Sequence, residues 1–130
     1  MQRLALVTLV VNDYDEAIDY FVRVLGFKLR EDTPMDGGKR WVVVSPESSG
    51  GPGLLLARAA NDPQKQAVGR QTGGRVFLFL HTDDFERDYA VYKQRGVSFV
   101  EPPRQESYGR VVVFTDLYGN RWDLVEPQAV

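Results

Sequence analysis

The chain repeats one pattern of local structure, and this repeat restricts the folds that it can adopt. Asp13 and Asp83 are separated by the same number of residues as Gly26 and Gly96. Each aspartate begins, and each glycine ends, a stretch with helical periodicity. Two copies of one structural module therefore predict a single fold with internal pseudo-symmetry.

The first copy combines a strand with a capped helix. Residues 4–11 form an apolar run that is too short to cross a membrane and predicts a strand buried on both faces. Asp13 occupies the N-cap position of a helix, with Glu16 three residues later, and Gly26 ends that helix. The predicted buried stripe has helical spacing and comprises Ala17, Tyr20, Phe21, Val24 and Leu25.

The second copy follows the same order. Residues 75–82 predict a strand, Asp83 is the expected N-cap with Glu86 three residues later, and Gly96 is the expected stop. The corresponding buried stripe comprises Phe85, Tyr89 and Tyr92.

Three short strand-like runs follow each glycine, so each half has the order βαβββ. The runs cover residues 27–31, 40–45, 53–58, 98–101, 110–115 and 120–126. We predict one α+β domain of two tandem βαβββ modules, whose curved mixed sheet surrounds a central cleft with one helix per module on the outer face. The modules span residues 1–60 and 75–130, joined by a connector at residues 61–74 that contains a possible short helix begun by Asp62 and Pro63.

Composition excludes several classes of function. The net charge is −2 and the charges are interspersed, which predicts no nucleic-acid partner and no membrane partner. The absence of cysteine excludes disulfides, thiol catalysis and cysteine-based metal sites, and it fits a cytoplasmic protein. The first residues lead directly into a strand, so no signal peptide is predicted.

These modules, the helix end Val24 to Phe27 and the closing motif at residues 116–124, DLYGNRWDL, resemble the vicinal oxygen chelate superfamily. This superfamily contains glyoxalase I, bleomycin resistance proteins and extradiol dioxygenases. The resemblance covers nearly the whole chain, and it implies a small-molecule ligand in the cleft. It also implies two chains per complete site, as in the bleomycin-resistance branch, and therefore a homodimer.

The same resemblance implies positions for metal ligands, which in the family are His, Glu or Gln on the first and last strands of each module. Here these positions fall near Leu6, Leu55, Phe77 and Asp123. Three of the four side chains do not bind metals, and the nearby candidates are only Thr8, His81 and Glu126. We therefore predict no metal ligands and no cofactor, with a divalent metal (Zn, Ni, Fe or Mn) held by a non-standard ligand set as the alternative.

Two titratable residues are the candidate catalytic groups. His81 has the parity of Phe77 and Phe79, on the face that the resemblance assigns to the cavity, where it would be a general base or contact a ligand. A structural His81, hydrogen-bonded to Asp83 or to solvent, is the alternative. Parity also directs Asp123 into the cleft.

A buried carboxylate needs a partner, and Arg121 or Arg110 is the expected one for Asp123, in a structural or a ligand-binding role. Tyr108 and Arg110, with Arg40 and Trp41, begin the hairpin strands, where they suit a planar or anionic molecule or simply solvate the surface. The full predicted ligand-binding set is Thr8, Trp41, Leu55, Phe77, Phe79, His81, Tyr108, Arg110, Arg121 and Asp123.

Two functions remain open at this point. The first is a metal-free small-molecule-binding protein in which aromatic and arginine side chains line the cleft. The alternative is an enzyme: a metal-dependent lyase, isomerase or dioxygenase, or a metal-free acid–base catalyst, built around Asp123 and His81. The sequence also leaves open whether the modules pair within one chain or between two chains.

Overall fold

A computed structural model describes residues 1–47 and 50–128 of the chain. The chain divides into two compact units, Met1–Val68 and Gly69–Val130. The first has the βαβββ order that the repeat predicts, and the second has this order with one additional short strand. The expected α+β class is confirmed, with two open sheets and few helices. The predicted second module runs to residue 130, of which the last two residues lie outside the described part. Among the described residues, no helix combines the length and apolar character that a bilayer crossing requires.

The first unit contains a four-stranded sheet in the order β1-β4-β3-β2, with β1 parallel to β4 and the other neighbours antiparallel. A π-helical segment, Tyr20–Val24, extends its first helix. The elements in chain order are β1 (Leu6–Val11), α1 (Tyr14–Asp19), β2 (Lys28–Pro34), β3 (Arg40–Ser45), β4 (Gly53–Arg58) and α2 (Asp62–Ala67).

Alternation along the strands separates the two faces of this sheet. Leu9 of β1, Leu56 of β4 and Val42 of β3 are neighbours in the register and are fully buried, as is Phe21 after α1. We call the opposite side of each sheet its open face. Thr8 lies there and is exposed, so the prediction that β1 is buried on both faces is wrong.

The second unit contains a sheet in the order β5-β9-β8-β6, with β7 also paired to β8. The sequence did not predict β7. Tyr92 of the helix packs edge-on against Phe114 of β8 at 5.5 Å between ring centroids, and Phe114 stacks on Trp122 of β9 at 5.8 Å. The elements are β5 (Val76–His81), α3 (Phe85–Gln94), β6 (Ser98–Phe99), β7 (Arg104–Glu106), β8 (Gly109–Thr115) and β9 (Arg121–Pro127).

The helix caps confirm one prediction and correct another. The Asp13 carboxylate accepts a hydrogen bond from the Glu16 backbone N–H at 2.8 Å, as expected. In the second unit, however, Asp84 rather than Asp83 is the N-cap, since it accepts from the Arg87 backbone N–H at 3.1 Å. The helix begins one residue later because Phe85 must reach the core, where it is buried.

Candidate functional site

The open face of the second sheet brings Phe79 and Asp123 together. The register places Asp123 of β9 directly between Phe79 of β5 and Val113 of β8. Asp123 is only 6% exposed, whereas the neighbouring Phe79 is 65% exposed. An apolar ring in water thus lies beside a buried carboxyl group, as the parity of the sequence predicted.

The Asp123 carboxyl group lacks the partner that burial normally requires. Its Oδ1 is inaccessible to solvent and has no hydrogen-bond partner among residues 1–47 and 50–128. Burial raises the pKa of Asp123; the charge of Arg104 lowers it and that of Glu101 raises it further. Arg104 itself is bound to Glu101 at 2.8 Å and to Glu106 at 2.6 Å.

Neither expected arginine satisfies Asp123. Arg110 lies on the helix side of the sheet, where it pairs with Glu86 of α3 at 2.6 Å and its guanidinium lies 5.0 Å from the centre of the Phe85 ring. The reason is register: Val113 lies opposite Asp123, so Arg110, three residues away, points to the other face. Arg121 does share the open face by parity, is exposed, and forms no ion pair within the described chain.

The other predicted residues of this unit lie in different surroundings. Phe77 is at an irregularity in the β5–β9 pairing, and its ring contacts Trp122 edge-on at 6.3 Å. His81 is exposed, and its imidazole has no hydrogen bond or ion pair to any described residue, so of the two alternative partners for a structural histidine, Asp83 is not bonded to it. Tyr108 is exposed.

The predicted residues of the first unit share the open face of the first sheet. Thr8 of β1 lies opposite Leu55 of β4, and Leu55 lies opposite Val43 of β3. Trp41, two residues before Val43, has the same parity and is 36% exposed. Leu6 also has this parity, as do Ser45 of β3 and the β2 residues Glu31 and Thr33, which lie opposite Val43 and Trp41, so this face combines apolar and polar side chains.

A pocket of about 270 Å³ lies at the end of the first sheet, where β3 begins and β4 ends. Sequence reasoning included Arg40, Trp41 and Leu55 but missed Tyr14, Lys39 and Arg58. The only signal in the sequence is the position of two cations: Lys39 immediately precedes β3, and Arg58 ends β4, the strand that pairs with β3. The lining side chains most relevant to binding are Tyr14, Lys39, Trp41, Leu55 and Arg58.

The residues at the expected metal positions do not fit a divalent transition metal. Leu6, Leu55 and Phe77 offer no donor atoms, and Asp123 offers a single carboxyl group whose pKa is raised. Such an ion normally requires three or more nitrogen, sulfur or carboxylate ligands. Within the part of the chain that the structure describes, no three His, Asp or Glu side chains cluster in this way.

Comparison with known proteins establishes the family. The model of the Glyoxalase/Bleomycin resistance protein/Dioxygenase superfamily matches residues 3–124, and the chain belongs to this family. It is 56% identical to an uncharacterized protein of Shewanella frigidimarina (strain NCIMB 400), over 96% of this chain and 93% of that one.

Two solved structures are similar over almost the full length. UcmS2 has a TM-score of 0.84 and 27% identity, covering 97% of this chain and 98% of that chain. TnmS3, an antibiotic binding protein from Streptomyces sp. CB03234, has a TM-score of 0.78 and 29% identity, covering 98% of both chains. The resemblance inferred from the sequence is therefore confirmed at the level of family and fold.

Proposed function

We propose that this protein binds a small planar aromatic molecule on the open face of its second unit, without a metal ion. The observation that carries the proposal is the exposed ring of Phe79 beside the buried, unsatisfied Oδ1 of Asp123. A large apolar ring in water and a buried acceptor without a donor each cost free energy. A ligand that stacks on Phe79 relieves the first cost, and a side-chain shift that opens Asp123 to a donor on the ligand relieves the second.

Arg121 extends this site with a positive charge. It lies on the same face two residues before Asp123 and has no ion pair among the described residues. Guanidinium groups stack on planar ligands as well as pairing with anionic substituents. The site thus combines an aromatic platform, a hydrogen-bonding carboxyl group and an arginine, the aromatic and arginine lining that the sequence suggested.

Family membership supports binding as the function. The similarity to TnmS3, an antibiotic binding protein, extends over almost the whole of both chains. A shared fold does not define a ligand, so the proposal depends on the chemistry of the open face.

A ligand screen in metal-free buffer tests this proposal. A panel of polycyclic aromatic compounds is screened by thermal shift with EDTA present, and hits are measured by calorimetry. We expect Phe79→Ala to weaken a hit about tenfold, since a stacked ring contributes about 1 kcal/mol or more. Val22→Ala removes an exposed apolar side chain from the helical segment of the first unit and is the matched control. A hit that binds only with added divalent metal, or equally well to Phe79→Ala, contradicts the proposal.

Acid–base catalysis is the second candidate function, and one observation favours it. The pKa of Asp123 is raised by burial, which is a common property of general acids. Asp123→Asn and His81→Ala distinguish the two functions. Loss of turnover with retained ligand binding in Asp123→Asn supports catalysis, whereas unchanged turnover in both variants excludes it.

We also propose that the chain forms a homodimer. Strands β1 and β2 are at the edges of the first sheet, and every residue of β2 is exposed. Such edges offer unpaired backbone groups to a second copy. Sedimentation at low micromolar concentration is expected to show a dimer, and a monomer alone contradicts the proposal.

A further inference from the structure

The pocket at the end of the first sheet contains an imbalance of charge. Three cationic side chains line it, Lys39, Arg40 and Arg58, together with the aromatic rings of Tyr14 and Trp41. Among residues 1–47 and 50–128, no acidic side chain lines it. Cations in a partly enclosed site attract anions more strongly than cations in open water.

Two of these cations are forced together by strand register. Val42 of β3 lies opposite Leu56 of β4, and continuing this antiparallel register places Arg40 opposite Arg58. Like charges at directly opposed positions destabilise a sheet. Both guanidinium groups lie over the Tyr14 ring, at 5.2 Å for Arg40 and 5.0 Å for Arg58.

The surrounding carboxylates neutralise only one of the pair. Arg40 binds Asp32 through two hydrogen bonds, at 2.8 and 3.1 Å, and Asp15 at 2.9 Å. Arg58 donates only to the backbone carbonyl of Gly38, at 3.3 Å, and no carboxylate of the described chain pairs with it. Arg58 is therefore held in place by a ring and a carbonyl, with most of its N–H donors unused.

Lys39 adds a second unneutralised charge to the same pocket. Its ammonium group has no ion-pair partner among the described residues. Arginine and lysine together match a carboxylate or sulfonate, since the guanidinium fork donates hydrogen bonds to two oxygens of one anion.

Trp41 and the size of the pocket indicate which uncharged group of a ligand would fit beside the anion. The indole is partly exposed and lines the pocket beside the apolar side chain of Leu55. A volume of about 270 Å³ lies just below the range of drug-sized pockets, so one or two fused rings fit. The pocket is lined from both sides of the sheet end, by Trp41 of the open face and by Arg58 of the helix side. We propose that it is a separate binding site for a compact aromatic carboxylate or sulfonate, which passes around the sheet end with its ring on Trp41 and its anion on Arg58 and Lys39.

A pair of nearly isosteric probes tests the charge requirement. 2-Naphthoate carries the anion, whereas 2-naphthamide has the same rings and no charge. We expect the wild-type protein to bind naphthoate about tenfold or more tightly than naphthamide, because a charge-assisted bidentate hydrogen bond is lost with the amide. Equal affinities, or no naphthoate binding at millimolar concentration, overturn the proposal.

Variants of exposed residues test the assignment without disturbing the core. Arg58→Gln is expected to weaken naphthoate about tenfold and to leave naphthamide unchanged, and Arg58→Lys is expected to be intermediate. Arg23→Gln is the matched control, because Arg23 is exposed on the first helix and does not line the pocket. An equal loss in Arg23→Gln, or no loss in Arg58→Gln, overturns the assignment.

Nuclear magnetic resonance locates the bound probe. The chain has two indole N–H signals, and that of the buried Trp122 is fixed by a hydrogen bond to Asp116. Naphthoate should shift the Trp41 signal and not that of Trp122. Phe79→Ala should bind naphthoate normally, since Phe79 does not line this pocket; loss of binding in that variant places the probe at the site proposed above and overturns this one.

Discussion

The carboxylate of Asp116 accepts a hydrogen bond from the indole Nε1 of Trp122 at 3.1 Å. The same carboxylate accepts from the backbone N–H groups of Tyr118, Gly119 and Asn120, at 3.0 to 3.1 Å. One buried acidic side chain therefore closes the turn between β8 and β9 and orients a core tryptophan. The DLYGNRW segment, which carried much of the family resemblance, has a structural role in this turn.

Asp116→Ala is expected to destabilise the protein by about 3 kcal/mol or more, because several buried donors lose a charged acceptor. Chemical denaturation measures this change, and a red shift of tryptophan emission reports the exposure of Trp122. Leu117→Ala, in the same turn but exposed, is the control and should change stability by less than about 0.5 kcal/mol. Equal stability of the two variants would show that the Asp116 bonds contribute nothing net.

Gly69→Ala and Gly73→Ala form a second matched pair. Both glycines have a positive φ, +78° and +67°, so both alanines carry a conformational cost of about 1–2 kcal/mol. Of these two positions, only at Gly69 would a Cβ also collide with a backbone atom, the carbonyl oxygen of Tyr118. We expect a clearly larger fall in melting temperature for Gly69→Ala. A larger fall for Gly73→Ala would contradict the close approach of Gly69 to the β8–β9 turn.

Because Asp84 and not Asp83 is the N-cap of α3, we expect the two adjacent aspartates to contribute differently to stability. Asp84→Ala should cost about 1 kcal/mol, because the Arg87 N–H loses its acceptor. Asp83→Ala removes only an exposed ion pair with Arg87, worth a few tenths of a kcal/mol. Urea denaturation of both variants measures the difference, and the reverse order would restore Asp83 as the cap.

Asp123→Asn is expected to change the dependence of stability on pH. The folded-state pKa of Asp123 is raised above its ordinary value of 3.8, so the folded protein holds this proton more tightly than the unfolded chain does. That stabilisation is complete below the ordinary pKa and is lost as pH rises through the raised value. The asparagine variant lacks this loss, so its stability relative to wild type should increase from pH 3.5 to pH 7.5.

Thermal denaturation at the two pH values measures this effect. Asp62→Asn, which removes an exposed carboxylate on α2, provides the control for a general change in charge. The same pH trend in both variants, or a relative loss of stability of Asp123→Asn at the higher pH, contradicts the buried state of Asp123.

The fold was largely predictable because its signals are local. The capping aspartates, the apolar stripes and the terminal Gly26 and Gly96 each follow from the conformational preferences of a few neighbouring residues, and both glycines have positive φ. The error at Asp83 arose because Asp83 and Asp84 are both acceptable caps locally. Burial of Phe85 decides between them, and that is a tertiary effect.

The candidate site was predictable only where strand parity sufficed. Parity placed Phe79 and Asp123 on one face, and the register confirms it. The prediction that Arg110 pairs with Asp123 is wrong, because a residue on a neighbouring strand does not necessarily share its face. The register directs Arg110 to the opposite face of the sheet. The pocket of Tyr14, Lys39 and Arg58 escaped prediction because it joins a helix start, a loop and a strand end that no local pattern relates.

The two sheets share one strand order, yet their open faces differ: one carries Thr8 and Leu55, the other Phe79 and Asp123. In each sheet one set of alternate residues, such as Leu9 and Leu56 or Phe114 and Trp122, packs on the helix side, and the residues between them are not needed for that packing. The residues of either open face can therefore be substituted during evolution while the protein still folds. A chain with two such modules can acquire a new specificity in one of them and preserve the old specificity in the other.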